Sequence, residues 1–383
     1  MATPILGITG VRAPILAKNV VVGGGLAATS ILAGLSRDPN SGKVIVIARD
    51  LPWMAKFPRH FEMGQSRKDL QLTKSQTDPY YLKQKMPTGD FMRQLVDYQT
   101  QAVAGLSEDS DALETDLRRV VRQGSQLLLN CGDGSTVLAD RVFIATGVGP
   151  ERTLRDSGVE FQNEVSDKRR VYGEVSTAIR SMERDAEYWK NKIVAVYGGG
   201  PTASWAVEIA MNYAIRDLIW ISKDGFGAAN PFGRNSETLA MTTGRQITAI
   251  LRRLRYLGND DTPPLHGGLE LTLEEHGKEE LREADIVISA TGSNPLAPTG
   301  VKTVLGDLYR ELAPYRGKQG GVFAALEDRS LYVVSSALTK EFSSKIEAYT
   351  FPVLNPENRV IAGIKATDLS ARAAVDAAMS KHS

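Results

Sequence analysis

Along this chain the apolar residues fall into short β-branched runs that stop at glycine, and the pattern recurs. Asn19-Val20-Val21-Val22 enters Gly23-Gly24-Gly25-Leu26-Ala27-Ala28, and Lys192-Ile193-Val194-Ala195-Val196-Tyr197 enters Gly198-Gly199-Gly200-Pro201-Thr202-Ala203. Each run predicts a buried strand, and the Ala-rich sequence after each turn predicts a helix. A second pair of segments repeats too. Residues 139–147 (ADRVFIATG) and 284–292 (ADIVISATG) both read as buried strands ending in Ala-Thr-Gly. A hairpin signal precedes each: residues 127–134, closing on Asp133-Gly134, and residues 269–273, followed by His276-Gly277. The order turn, helix, strand, hairpin and Ala-Thr-Gly therefore runs twice. Residues 108–122 are charged and predict an exposed helix or loop.

The two glycine turns share the form G-x-G-x-x-A. The first glycine permits a tight turn and the second admits a pyrophosphate to the backbone. The small third residue lets helix and strand pack closely, with the phosphates at the helix N-terminus. Two such turns predict two dinucleotide sites, a flavin and a nicotinamide. Gly23, Gly25 and Ala28, with Thr146 and Gly147, are candidates for one site. Gly198, Gly200, Thr202 and Ala203, with Thr291 and Gly292, are candidates for the other. The second strand of the latter unit, residues 217–221, ends in Ser222-Lys223 rather than in an acid, and Arg234 follows. A hydroxyl and cations favour a 2′-phosphate, hence NADPH over NADH, with an exposed basic loop as the alternative.

This doubled arrangement resembles the two-dinucleotide-binding-domain flavoproteins over roughly residues 19–295. The resemblance implies an α/β fold of two Rossmann-like three-layer dinucleotide-binding domains, the NADP domain inserted into the FAD domain. The implied boundaries are 1–165 and 297–383 for FAD, and 166–296 for NAD(P). A crossover near Val171-Tyr172-Gly173 and a return near Ser293-Asn294-Pro295 fit them. By the order in that superfamily the first turn holds FAD. The acid that ordinarily binds the FAD ribose is missing, since Ala48 follows the strand at residues 44–47. Arg49 and Asp50 then become candidate cofactor contacts or merely the start of a solvated loop.

Composition narrows the chemistry. A net charge of +1 gives no reason to expect nucleic acid or a charged membrane as partner, and 42% hydrophobic with 24% charged residues is ordinary for a soluble globular protein. No 18-residue apolar run suggests a membrane span, residues 1–18 are unconvincing as a secretory signal, and a cytoplasmic location is the default. Cys131 is the single cysteine, which excludes an internal disulfide and the redox pair of thioredoxin reductases. The four histidines show no ligand spacing, so no metal is expected.

Residues 51–106 are too long for a simple loop. They contain Trp53, Phe57, His60, Gln65, Lys68-Asp69-Leu70 and Pro87-Thr88-Gly89-Asp90-Phe91. With Ile221-Ser222-Lys223, Pro231 to Glu237, and Gly363 followed by Asp368-Leu369-Ser370-Ala371-Arg372-Ala373, these weakly resemble the lysine- and ornithine-type N-hydroxylating flavin monooxygenases. That resemblance makes Gln65, Lys68 and Asp69 candidate catalytic residues and adds Ser370 to the cofactor contacts. The plainer alternative for Lys68 and Asp69 is a solvated helical turn. The chemistry implied is hydride transfer from NADPH to FAD, then oxygen transfer from a C4a-hydroperoxyflavin to a small substrate, with an amine nitrogen as candidate acceptor. A small-molecule substrate and O2 would be the partners, and a homo-oligomer is compatible with them. Two alternatives stay open: a Cys-free NADPH-dependent flavin reductase, and a non-catalytic nucleotide-binding protein. Also open is the final FAD-domain strand. It is either residues 321–328, a degraded Gly-Asp motif with Leu326 for the glycine, or residues 331–336.

Overall fold

The computed structural model describes residues 13–49, 59, 62–67, 78–147, 170–198, 201–210, 212–222, 254–258, 284–290, 300–317, 321–334 and 359–380. The N-terminal half contributes β1 (Ile15–Val22), α1 (Leu26–Leu35), β2 (Val44–Ile47), β3 (Glu62–Ser66), α2 (Pro79–Lys83), β4 (Lys85–Pro87) and α3 (Thr88–Ala104). β5 (Asp111–Leu113), β6 (Leu117–Gln123), β7 (Gln126–Cys131) and β8 (Thr136–Ile144) follow. Next come β9 (Arg170–Tyr172), α4 (Val175–Arg184), α5 (Ala186–Trp189), β10 (Ile193–Tyr197), α6 (Pro201–Ala210), β11 (Asp217–Ser222), β12 (Leu254–Gly258) and β13 (Ile286–Ser289). α7 (Val301–Leu305), α8 (Leu308–Glu311), β14 (Ala313–Arg316), β15 (Val322–Ala325), β16 (Leu331–Val333) and α9 (Arg359–Met379) complete the described chain.

Strands from both ends of the sequence share one sheet, in the order β14-β15-β16-β8-β1-β2-β5. The five strands at one end of this order, β16-β8-β1-β2-β5, are all parallel. β7 joins the first half of β8 in antiparallel register and carries β6. Side chains alternate across this sheet as the pleat requires. Val20 and Val22 pack with β6, β7 and α7 on one side, whereas Val21 packs with α1 and α9 on the other. Burial on both faces explains why the β1 run is almost wholly apolar. The second sheet, β12-β11-β10-β13-β9, is parallel throughout and is built only from residues 170–289. Val194, Val196, Leu218, Trp220, Ile286 and Ile288 form one of its faces, covered by α4, Trp189 and α6. The expected α/β class with parallel Rossmann-type sheets is borne out.

Residues 108–122 differ from the expected helix or loop. β5 extends the parallel sheet beside β2, and β6 pairs with β7. In β6 only Leu117 and Val120 are fully buried, while Arg118, Arg119 and Arg122 face outward. A register shift between Leu117 and Arg119 breaks the two-residue period, so the strand does not show as simple alternation in the sequence. The Asp133-Gly134 signal does mark the β7–β8 turn, with Gly134 at φ +84°. The 269–277 hairpin lies outside the described residues.

Each glycine turn is fixed by the strand end beside it. Ala145 N–H donates to Val22 carbonyl at 2.8 Å, and Ala290 N–H donates to Tyr197 carbonyl at 2.7 Å. Gly23 and Gly198 adopt φ of +128° and +141°, and a Cβ on either would collide with the carbonyl oxygen of Ala145 or Ala290 respectively. Gly23→Ala therefore combines a strained φ with a backbone clash. It is expected to lower stability by about 2–4 kcal/mol, read as a fall in the first thermal or urea transition; a variant as stable as the parent would remove the contact from this account.

Candidate nucleotide-binding site

The first turn lies at the carboxyl edge of the parallel strands, where ligands of open α/β sheets bind. Gly23 N–H donates to the Ile47 carbonyl at 2.8 Å, which ties the turn to the end of β2. Gly25 is the N-cap of α1, with φ −92° and ψ −167°, and no side chain caps the helix. No acidic residue stands in the first turn, and a Cβ built on Gly25 meets nothing within 4 Å. Uncapped backbone N–H groups at the positive end of a ten-residue helix, beside open space, fit a pyrophosphate. Ala28 is fully buried in α1, Thr146 is exposed, and Gly147 adopts φ +73°. Ala48, directly after β2, donates its N–H to Leu113 carbonyl at 3.1 Å and offers no ribose acid. Arg49 extends an exposed guanidinium to Asp116 at 3.4 Å, and Asp50 lies outside the described residues.

The second turn repeats the backbone arrangement around Gly198. Ala203 is fully buried and Thr202 half-buried at the start of α6. The structure adds a contact that the sequence did not suggest: Trp220 Nε1–H on β11 donates to the Gly198 carbonyl at 2.8 Å. β11 ends at Ser222, whose backbone alone is described. Gly200, Lys223, Arg234, Thr291 and Gly292 lie outside the described residues.

The last helix brings further groups toward the first turn. Ser30 on α1 donates to Asp368 Oδ1 at 2.7 Å, and Arg372 pairs with the same carboxylate at 3.0 Å. One turn on, Gly34 leaves so little room that an added Cβ would lie 2.9 Å from Val375. Sequence numbers rise together along the two contacts, so α9 runs parallel to α1. At 1.5 Å per residue the two contacts put its start roughly 7–12 Å beyond that of α1. At the far end, Arg141 donates to the Ala378 carbonyl at 2.9 Å and Arg329 to the Ala377 carbonyl at 3.2 Å. Two cations thus meet the negative end of the helix dipole. Ser370 is buried; its hydroxyl accepts the Val322 N–H at 2.9 Å and so joins α9 to β15.

Gln65 sits in β3, and β3 lies against α9. Lys68 and Asp69, like Trp53, Phe57 and His60, are outside the described residues. Arg67, adjacent to Lys68, makes an ion pair of 2.6 Å with Asp90 in the first turn of α3 and donates to the Tyr81 hydroxyl at 2.7 Å. Burial favours the neutral form of Asp90, but hydrogen bonds from Arg93 and Arg67 outweigh it and hold the carboxyl below its ordinary range. This pair ties the two segments carrying the hydroxylase resemblance to each other. Neither residue stood out by spacing alone.

The choice of final strand is decided by pairing. β16 runs parallel to β8 in register Leu331↔Val142 to Val333↔Ile144, whereas β15 is antiparallel to it in a hairpin. Asp328 belongs to the hairpin turn. It accepts from Ser330 N–H at 3.0 Å and pairs with Arg122, and so serves the β-meander rather than a flavin. Ser336 is outside the described residues. Cys131 is buried in β7, and burial pushes its thiol above the ordinary range, away from thiolate chemistry. Among the described residues no cluster of His, Cys, Asp or Glu could hold a metal ion, and no helix is long and apolar enough to cross a membrane.

Residues 17–221, more than half of the chain, match the family described as pyridine nucleotide-disulphide oxidoreductase. The chain belongs to this family. It is accordingly an oxidoreductase, and its resemblance to the two-dinucleotide-binding-domain flavoproteins is borne out. A thioredoxin reductase of Helicobacter pylori is 35% identical over 115 residues, 30% of this chain and 33% of that protein. The match thus spans about a third of that curated relative. Among solved structures, a mutant flavin monooxygenase from Stenotrophomonas maltophilia and an ornithine N-hydroxylase from Kutzneria sp. 744 each align at TM-score 0.58 and 16% identity. Both alignments cover 96% of this chain and 100% of the other. A bacillithiol disulfide reductase from Staphylococcus aureus aligns at TM-score 0.54 and 13% identity, over 93% and 98%. At these identities the likeness is one of fold.

Open space at Gly25 separates stability from binding. Gly25→Val should keep the folded state within about 1 kcal/mol of the parent while abolishing retention of FAD, measured by equilibrium dialysis and absorbance. Unchanged FAD content would remove the first turn from the site.

Proposed function

We propose that the protein is an NADPH- and FAD-dependent monooxygenase acting on a small substrate, with an amine nitrogen as the favoured acceptor. The observation that carries the reading is a pair of alike glycine turns, each at the carboxyl edge of its own parallel sheet, in a chain whose one cysteine is buried. Thiol–disulphide exchange within the protein is excluded by that cysteine count. A redox-active cysteine pair is therefore absent, and an acceptor outside the chain takes the electrons. Fold likeness to a flavin monooxygenase and an ornithine N-hydroxylase over 96% of the chain supports the oxygenase choice.

A bound flavin would supply the hydride acceptance from NADPH and the O2 activation, one oxygen atom going to the substrate and the other leaving as water. The protein's own part is binding and shielding. Gly23, Gly25 and Ala28 with the α1 N-terminus hold the FAD pyrophosphate, Thr146 and Gly147 border it, and Arg49 and Asp50 stand at the adenosine end. Gly198, Gly200, Thr202 and Ala203 hold the NADPH pyrophosphate, with Thr291 and Gly292 alongside; Ser222, Lys223 and Arg234 take its 2′-phosphate. Gln65, Lys68 and Asp69 are the residues assigned to the substrate. Ser370, which joins α9 to β15, would hold α9 in place at the FAD site. The boundaries 1–165 with 297–383 and 166–296, and a cytoplasmic setting, belong to the same reading.

The test is a visible spectrum of the FAD-loaded protein, then anaerobic NADPH, then air. Bleaching by NADPH is expected, followed by a slow, staged return of colour with little hydrogen peroxide. A single fast return with stoichiometric peroxide, or fast reduction of an added quinone, would favour the reductase reading. Failure to bleach would overturn the NADPH assignment. In initial rates, Lys223→Ala should raise KM for NADPH by about tenfold while changing that for NADH little, through loss of a charge-assisted contact. Equal changes would rule out the 2′-phosphate contact.

A further inference from the structure

Gly23 and Gly198 meet the neighbouring strand end alike but differ in what lies beneath them. Register between β10 and β11 sets Trp220 beside Val196, and register between β1 and β2 sets Val46 beside Val21. Val46 is thus the first turn's counterpart of Trp220, and a valine has no proton to donate. At the second turn the indole runs from β11 to the carbonyl of the first glycine at 2.8 Å. The ring is 1% exposed and packed in the core formed by β10, β13, α4 and α6. Gly198 is therefore held from two sides, by the Ala290 strand end and by a rigid buried donor. Anchoring that carbonyl fixes the direction in which the chain leaves β10 toward α6.

We infer that Trp220 is a positioning residue of the nucleotide site: its indole N–H holds the Gly198 carbonyl, and with it the head of the turn that receives the NADPH pyrophosphate. This rests on the reading that the second turn holds NADPH. Binding gains when a site is fixed before the ligand arrives, because ordering the turn no longer costs affinity. Moving the turn carbonyl away would also cost the 2.8 Å hydrogen bond to the indole. Bound nucleotide and the Trp220 hydrogen bond should thus stabilise the same turn geometry.

Trp220→Phe keeps an aromatic ring and removes the donor. Trp189→Phe is the control: Trp189 is fully buried in the same core, but its Nε1–H donates to the Ser181 hydroxyl at 3.3 Å, away from the turn. The probe is NADPH titrated anaerobically against each FAD-loaded protein with its flavin already reduced, followed by nucleotide fluorescence, with the unmodified protein alongside. Trp220→Phe should weaken NADPH binding about five- to tenfold, raise KM for NADPH by the same factor, and leave kcat and FAD content unchanged. Trp189→Phe should lower the melting temperature yet bind NADPH as the unmodified protein does. Parent-like binding by Trp220→Phe, or equal weakening in both variants, would overturn the inference. If the unmodified protein binds no NADPH, the functional reading fails first and takes the inference with it.

Discussion

The structure depends on one steric constraint used twice: a chain leaving a central parallel strand must cross the end of its neighbour at van der Waals distance. At Gly23 the neighbour is the Ala145 carbonyl, and at Gly198 it is that of Ala290. A hydrogen atom fits there and a methyl group does not. The same strand ends donate back to the preceding carbonyls of Val22 and Tyr197, so turn and neighbour are mutually fixed. This joins two motifs far apart in sequence, the glycine turn and Ala-Thr-Gly, into one object at the carboxyl edge. The helix that follows must then begin there, with its unpaired N–H groups facing any bound anion.

Around the first turn, packing carries the constraint outward. α1 presents Ala27, Ala28, Ala33 and Gly34, and α9 answers with Ala371, Ala374, Val375 and Ala378. Small side chains allow a close approach, and the Ser30–Asp368 hydrogen bond sets the register within it. Arg141 and Arg329 hold the far end of α9, so the helix is located at both its middle and its foot. What overhangs the nucleotide edge is consequently a helix start in a fixed place. Its parallel run with α1 places two positive helix ends on one side of the sheet, a field suited to a ligand bearing negative charge at more than one point.

Backbone-determined features were legible in the sequence. Two glycine turns, two Ala-Thr-Gly strand ends and the Asp133-Gly134 hairpin each write a local steric requirement into residue type. β5 and β6 were not legible, because a register shift spoils alternation in one and the other gains its strand character only by lying beside β2. The final parallel strand was left open for a related reason. Residues 321–328 and 331–336 are both apolar runs, and only pairing with β8 separates them. Side-chain links across the fold were invisible throughout. Arg67–Asp90, Ser30–Asp368 and Trp220–Gly198 join residues 23, 338 and 22 positions apart, and nothing in the composition of either partner announces the other.

The remaining question is where the electrons go, and the cysteine decides its form. A family named for disulphide reduction passes reducing equivalents to sulfur, which requires a thiolate able to attack and a partner to close the bond. Here the lone thiol lies in β7, with the β6–β8 meander around it, and burial holds it protonated. Moving it into reach would mean opening the meander that supports the parallel sheet. The acceptor is therefore free to be a diffusible molecule. The Arg67–Asp90 pair ties the end of β3 to the start of α3, and β3 lies beside α9.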